Sequence, residues 1–98
     1  MSIVRHVIVR GRVQGVGYRM WVGDTAQRLG LEGWVRNRRD GTVEAVFFGS
    51  EPAVAAAVEA CRSGPRGAQV EAVDAKDGSA DLLAQCHSGE PFSVLRTG

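Results

Sequence analysis

The chain has 98 residues, 44 % of them apolar and 23 % charged, and a formal net charge of +1. That is one soluble globular domain over residues 1–98, with enough apolar content for a single core. The near-neutral charge argues against a general nucleic-acid binder, which carries a basic patch, and no apolar run approaches the roughly 20 residues of a membrane span. Residues Met1 to His6 open no signal-peptide h-region. With no export signal, Cys61 and Cys86 read as reduced thiols in a cytoplasmic protein. They lie too far apart to match a metal spacing, and their plain reading is as small buried apolar side chains.

Ile3 to Val13 reads as a strand, with Val7, Val9, Gly11 and Val13 on one face. The other face, His6, Ile8, Arg10 and Arg12, is mixed, as in a sheet covered on one side. Tyr18 to Leu29 reads as a helix: Val22, Ala26 and Leu29 fall on one stripe, with Met20 or Trp21 at its border and Gly30 as the stop. Leu31 to Arg38 is a second strand. Asn37-Arg38-Arg39-Asp40-Gly41 is a tight turn, and Thr42 to Gly49 returns as a third strand.

Ser50-Glu51-Pro52 starts a second helix, Ser50 as cap and Pro52 in the first turn. Val54, Val58 and Cys61 share its inner face, and Gly64-Pro65 ends it. Ala68 to Lys76 alternates weakly as a fourth strand. Asp77 to Glu90 has no clear period and reads as a loop, with room for one turn of helix at Asp81 to Ala84. Pro91 to Leu95 is a short last strand. The order predicts an α+β fold, the ferredoxin-like split βαβ sandwich (βαββαβ). Two helices cover one face of an antiparallel sheet, and a short extra strand follows at the C-terminus.

The stretch between the first strand and first helix carries the chemistry. Gly11 to Arg19 holds three glycines in nine residues. A glycine-rich loop at a helix start leaves backbone N–H groups unpaired and convergent, which suits an anion such as phosphate. Arg19 sits at the helix mouth, near the positive end of the dipole, where an arginine is out of place unless an anion binds. Its planar fork fits phosphate bidentately. Asn37, before the hairpin turn, is ordinary turn chemistry if taken alone. In a split βαβ sheet, however, the strand that carries it can bring it toward the loop after the first strand.

Such a site has no His, Asp or Glu as general base and no Ser or Cys nucleophile in the loop. Asn37 cannot take a proton but can hold a water. Phosphoryl transfer needs mainly positioning and charge stabilisation. The missing acid limits the substrate to one whose leaving group departs unprotonated. An acyl phosphate qualifies, because its leaving carboxylate has a pKa of roughly 4.

Gly11-Arg12-Val13-Gln14-Gly15-Val16-Gly17-Tyr18-Arg19 resembles the first signature of the acylphosphatase family, G-x-V-Q-G-V-x-[FY]-R. Gly33-Trp34-Val35-Arg36-Asn37-Arg38-Arg39-Asp40-Gly41-Thr42-Val43-Glu44 resembles its second, G-x-V-x-N-x-x-D-G-x-V-E. The order and separation of the two match as well, and the resemblance covers Ile3 to about Val70. It implies hydrolysis of a carboxyl–phosphate mixed anhydride to a carboxylate and inorganic phosphate, with no metal and no organic cofactor. It implies that Arg19 binds the phosphoryl group, that Asn37 orients the attacking water, and that the backbone of Gly15, Val16, Gly17, Tyr18 and Arg19 completes the cradle. Tyr18 is then a packing residue, and Asp40 and Gly41 are turn residues.

The other readings are a non-catalytic module for a phosphate-bearing ligand, an RNA-binding sheet and a carbamoyl-phosphate-handling domain of a larger protein. A pure binder has no need of Asn37. The charge balance and the lack of paired aromatics count against RNA. A chain ending at Gly98 favours a free-standing enzyme. The expected partner is a small acyl phosphate, with no nucleic acid and no membrane, and the expected state is a monomer. No residue is identified that reads the acyl half.

Overall fold

The computed structural model describes residues 1–86 and 89–98. Its elements follow the expected order: β1 (Ser2–Arg12), α1 (Tyr18–Arg28), β2 (Glu32–Asn37), β3 (Val43–Ser50), α2 (Glu51–Ser63), β4 (Gln69–Asp77), a 3₁₀ helix (Ala80–Gln85) and β5 (Phe92–Val94). Across the sheet the strands run β4-β1-β3-β2-β5. β1 is antiparallel to both β3 and β4, and β2 is antiparallel to β3. Two βαβ units therefore interleave: β3 lies between β1 and β2, and β1 lies between β3 and β4. That is the split βαβ arrangement. Among the described residues no helix is long and apolar enough to cross a membrane.

The helices sit on one face, over a core that includes Val7, Val9, Val22, Val35, Phe47 and Val54. α1 ends in a Schellman motif: Leu31 N–H bonds to Ala26 O and Gly30 N–H to Gln27 O. α2 starts as read, with Ser50 Oγ accepting from Ala53 N and Glu51 in the first turn. Near its end β1 carries a bulge between Arg10 and Gly11. Gly11 meets the β4 backbone there so closely that a Cβ would lie 2.2 Å from Gln69 O. No larger residue fits that approach.

Two expectations are corrected. The sheet is not wholly antiparallel, because β5 lies parallel to β2, with Gly33 opposite Phe92 and Val35 opposite Val94. β4 ends at the edge of the sheet where β2 begins. The chain then crosses the sheet at that edge and enters beside β2, so it must run in the same direction. The second concerns Asp77 to Glu90, of which residues 87–88 lie outside the described residues: the turn of helix expected at Asp81 to Ala84 is present, but it is longer and packs on the sheet instead of forming part of a free loop. The Ala80–Gln85 segment is a 3₁₀ helix on the face opposite α1 and α2. Trp34 Nε1 donates to Leu82 O at 2.7 Å. Trp34 and Val46, both on this second face, are buried, so this face is partly covered.

The same face holds an ion network. Glu44 Oε2 pairs with His6 Nε2 at 2.6 Å, and Glu44 Oε1 accepts from Arg36 Nε at 2.7 Å. The Arg36 guanidinium lies 5.0 Å from the Trp34 ring centroid, a cation–π distance. His6 is thus a structural residue, as expected of a lone histidine. Glu44 joins the three central strands side by side. Burial pushes the Glu44 carboxyl up, but the hydrogen bonds from His6 and Arg36 outweigh it and hold the carboxyl below its ordinary 4.5. A depressed carboxyl stabilises the fold above the unfolded-state value, and that contribution is lost as pH falls through the folded-state value. Stability should therefore drop as the protein is titrated from pH 5 downward, and Glu44→Gln should flatten that slope. Urea denaturation at stepped pH checks both.

Candidate active site

β1 and β2 are each antiparallel to β3, so their C-terminal ends share one edge of the sheet. The loop after β1 and the hairpin after β2 meet there. In the loop, Gly15 has φ +76° and Gly17 has φ +77°, whereas no non-glycine residue of the described chain has positive φ. Residues 14 to 18 therefore alternate in the sign of φ, the geometry of an anion-binding nest. A Cβ at either glycine would meet nothing within 4 Å beyond its chain neighbours, so it is backbone conformation that makes both positions favour glycine.

Gly17 is also the N-cap of α1, and no side chain caps that helix. The first intrahelical bond runs from Trp21 N to Gly17 O. The N–H groups of Tyr18, Arg19 and Met20 precede it, and no acidic residue occupies the first turn. α2 differs, having both a Ser50 cap and Glu51. The positive end of α1 thus faces the loop without a carboxylate of its own to offset it.

Arg19 and Asn37, distant in sequence, line one cleft of ≈ 130 Å³ with Val13, Gly15, Gly17, Tyr18 and Met20. Five of the six sequence-derived site residues are thereby brought together. Val16 is the exception: its side chain packs on the core, and only its backbone belongs to the loop. Arg19 is half-buried, and its Nη1 donates to Leu95 O at 2.7 Å. That contact holds the guanidinium in place and leaves its other donors to a ligand. Wider hollows exist. One of ≈ 480 Å³ on the sheet involves His6, Arg10, Asp74 and Lys76, but there Arg10 is paired with Asp74 and His6 with Glu44. Among the described residues no group of three or more His, Cys, Asp or Glu forms a cation site.

Three contacts at the site escape the sequence reading. Gln14 Nε2 donates to Arg38 O at 2.7 Å and to Thr42 O at 2.9 Å, tying the loop to the mouth of the hairpin. Leu95 holds Arg19, and Gly98 N–H donates to Asn37 O at 3.0 Å. The segment after β5 therefore runs beside β2 to the site. Only the Gln14 contact had a signal in the sequence, its place inside the first motif. The hairpin itself is as read: Arg38 N–H bonds to Thr42 O, and Gly41, at φ +92°, closes a three-residue loop. Asp40 Oδ1 accepts from Thr42 Oγ1 and N, and these bonds hold its carboxyl below the ordinary range.

The model of the family described as Acylphosphatase matches residues 5–88. This chain belongs to the acylphosphatase family. It is 58 % identical over 98 residues to a protein of Azorhizobium caulinodans named Acylphosphatase, covering 99 % of each chain. A Rhodopseudomonas palustris protein of the same name is 55 % identical over 96 residues, covering 98 % of this chain and 97 % of that one. Among solved structures, an acylphosphatase from Coxiella burnetii superposes with a TM-score of 0.84 at 33 % identity, covering 96 % of this chain and 93 % of the other. The family thus agrees with the motifs in the loop and the hairpin.

Tyr18 occupies the cleft wall but is buried, and its hydroxyl donates to Cys61 O at 2.6 Å. Cys61 lies in the last turn of α2, where carbonyls lack intrahelical partners. Burial drives the Tyr18 phenol far above its ordinary range, with the Cys61 thiol adding to the shift, so it stays protonated and donates. Burial likewise pushes the Cys61 thiol up to about 11. Tyr18→Phe should cost about 1–2 kcal/mol by leaving that carbonyl unmatched. It should also leave turnover of the folded protein within about twofold, as expected if the phenol takes no part in the chemistry. Thermal unfolding and activity assays check the two halves separately.

Proposed function

We propose that this protein hydrolyses acyl phosphates to a carboxylate and inorganic phosphate. The convergence of Arg19, Asn37 and the Gly15–Gly17 nest in one cleft carries the reading, and family membership supports it. The phosphoryl group lies in the nest, its oxygens taking N–H groups of residues 15 to 19 and the Arg19 fork. Charge spread over those oxygens in the transition state is met by donors already in place. Asn37 holds a water opposite the departing carboxylate. That water attacks phosphorus, the bond to the carboxylate oxygen breaks, and the water's proton passes to a phosphoryl oxygen. The carboxylate needs no proton to leave, since the parent acid has a pKa of roughly 4. No general acid or base is required of the chain, and no metal or organic cofactor enters this scheme.

Gln14 acts as a positioning residue. The nest lies on the β1 side and the water-holding amide on the β2 side, and the Gln14 carboxamide joins them. The proposal extends to a single-domain monomer over residues 1–98 that works in the cytoplasm.

Phosphate release from acetyl phosphate, measured with a chelator present, tests the scheme. Arg19→Ala and Asn37→Ala should each lower turnover on the order of 10²-fold or more. Undiminished turnover in both folded variants would sink the assignment. Gln14→Met keeps the side-chain length but removes both N–H donors. It should lower kcat on the order of 10-fold while the inhibition constant of inorganic phosphate changes much less. A steady-state split of kcat from phosphate inhibition shows whether the two halves have moved apart.

A further inference from the structure

The cleft is small, ≈ 130 Å³, and in the scheme above its nest, Arg19 and Asn37 take the phosphoryl group and the attacking water. The acyl group then lies against the rest of the lining.

Of the lining side chains with no part in phosphate binding, Val13 and Tyr18 are buried and Met20 is exposed. Met20 follows Arg19 in the first turn of α1 and lines the cleft, and its side chain is 62 % exposed. Among the described residues the only other large apolar side chain so exposed is Met1, at the chain start. A lone exposed apolar residue is ordinary on a protein surface, but two observations set this one apart. It stands at the mouth of the proposed site. It also lies on the helix face away from the core stripe of Val22 and Ala26, where packing asks for nothing apolar. A methionine thioether is flexible and polarizable, and it fits many apolar surfaces, aromatic rings in particular.

We propose that Met20 is the acyl-contacting residue, and that it biases the site toward acyl phosphates with apolar, above all aromatic, acyl groups. The inference rests on the acyl-phosphate reading above. The contact is with a single adaptable side chain on an open rim, so the preference is graded rather than absolute.

The experiment compares kcat/KM for benzoyl phosphate and acetyl phosphate in the wild-type protein, Met20→Ser and Met20→Leu. The intrinsic reactivities of the two substrates cancel when their ratio is compared between variants. Met20→Ser should lower the benzoyl-to-acetyl ratio by about 3- to 10-fold. Met20→Leu, which restores an apolar surface of similar size, should hold the ratio within about twofold of wild type. A ratio unchanged in Met20→Ser would overturn the proposal, as would an equal fall in both variants, which would mean that the helix and not the apolar contact is responsible. Failure of the wild-type protein to hydrolyse either compound would instead remove the acyl-phosphate reading, and this inference with it.

Discussion

Because β3 is inserted between β1 and β2, the two strands whose ends carry the site are never hydrogen-bonded to each other. Their relative position rests on contacts outside the ladder. Gln14 spans the gap from the loop side, its two N–H groups fixed on carbonyls at either side of the hairpin mouth. The segment after β5 supports both halves from the other side, through Leu95 O on Arg19 and Gly98 N–H on Asn37 O. A site assembled this way is only as well defined as these few hydrogen bonds.

The anion-binding character comes from the backbone more than from charge. The protein as a whole is nearly neutral, yet the alternating φ signs of residues 14 to 18 and the uncapped start of α1 turn several N–H groups one way. A glycine N-cap without a capping side chain forfeits only about a few tenths of a kcal/mol. Packing around it makes good part of this. Tyr18, the first residue of α1, is buried, stacks at a tilt against Trp21, and bonds to the end of α2. The phosphate loop is thereby anchored to the second helix as well as to the sheet.

Stability and chemistry occupy different regions of the molecule. The Glu44 network, the Trp34 ring and the 3₁₀ helix lie on the face away from α1 and α2, whereas the cleft opens at the edge where β1 and β2 end. The two are linked through β2, where Arg36 belongs to the network and the next residue, Asn37, belongs to the cleft. Glu44 fixes the strand on which Asn37 is carried without itself lining the cleft.

The sequence by itself determined the element order, the caps of α2, the hairpin and the two motifs with Arg19 and Asn37. Each of these depends on neighbours within a few residues, on side-chain period or on turn chemistry, and local physics reads from local sequence. It could not determine the direction of β5, since a three-residue strand has no pattern that distinguishes parallel from antiparallel pairing. Nor could it show that the helical turn near Asp81 packs over Trp34, a contact made across 48 residues. The support of Arg19 by Leu95 is a main-chain contact across 76 residues, and any residue's carbonyl can accept such a bond. Tertiary structure alone decided these features, because each depends on where the fold brings the backbone and not on which side chain stands there.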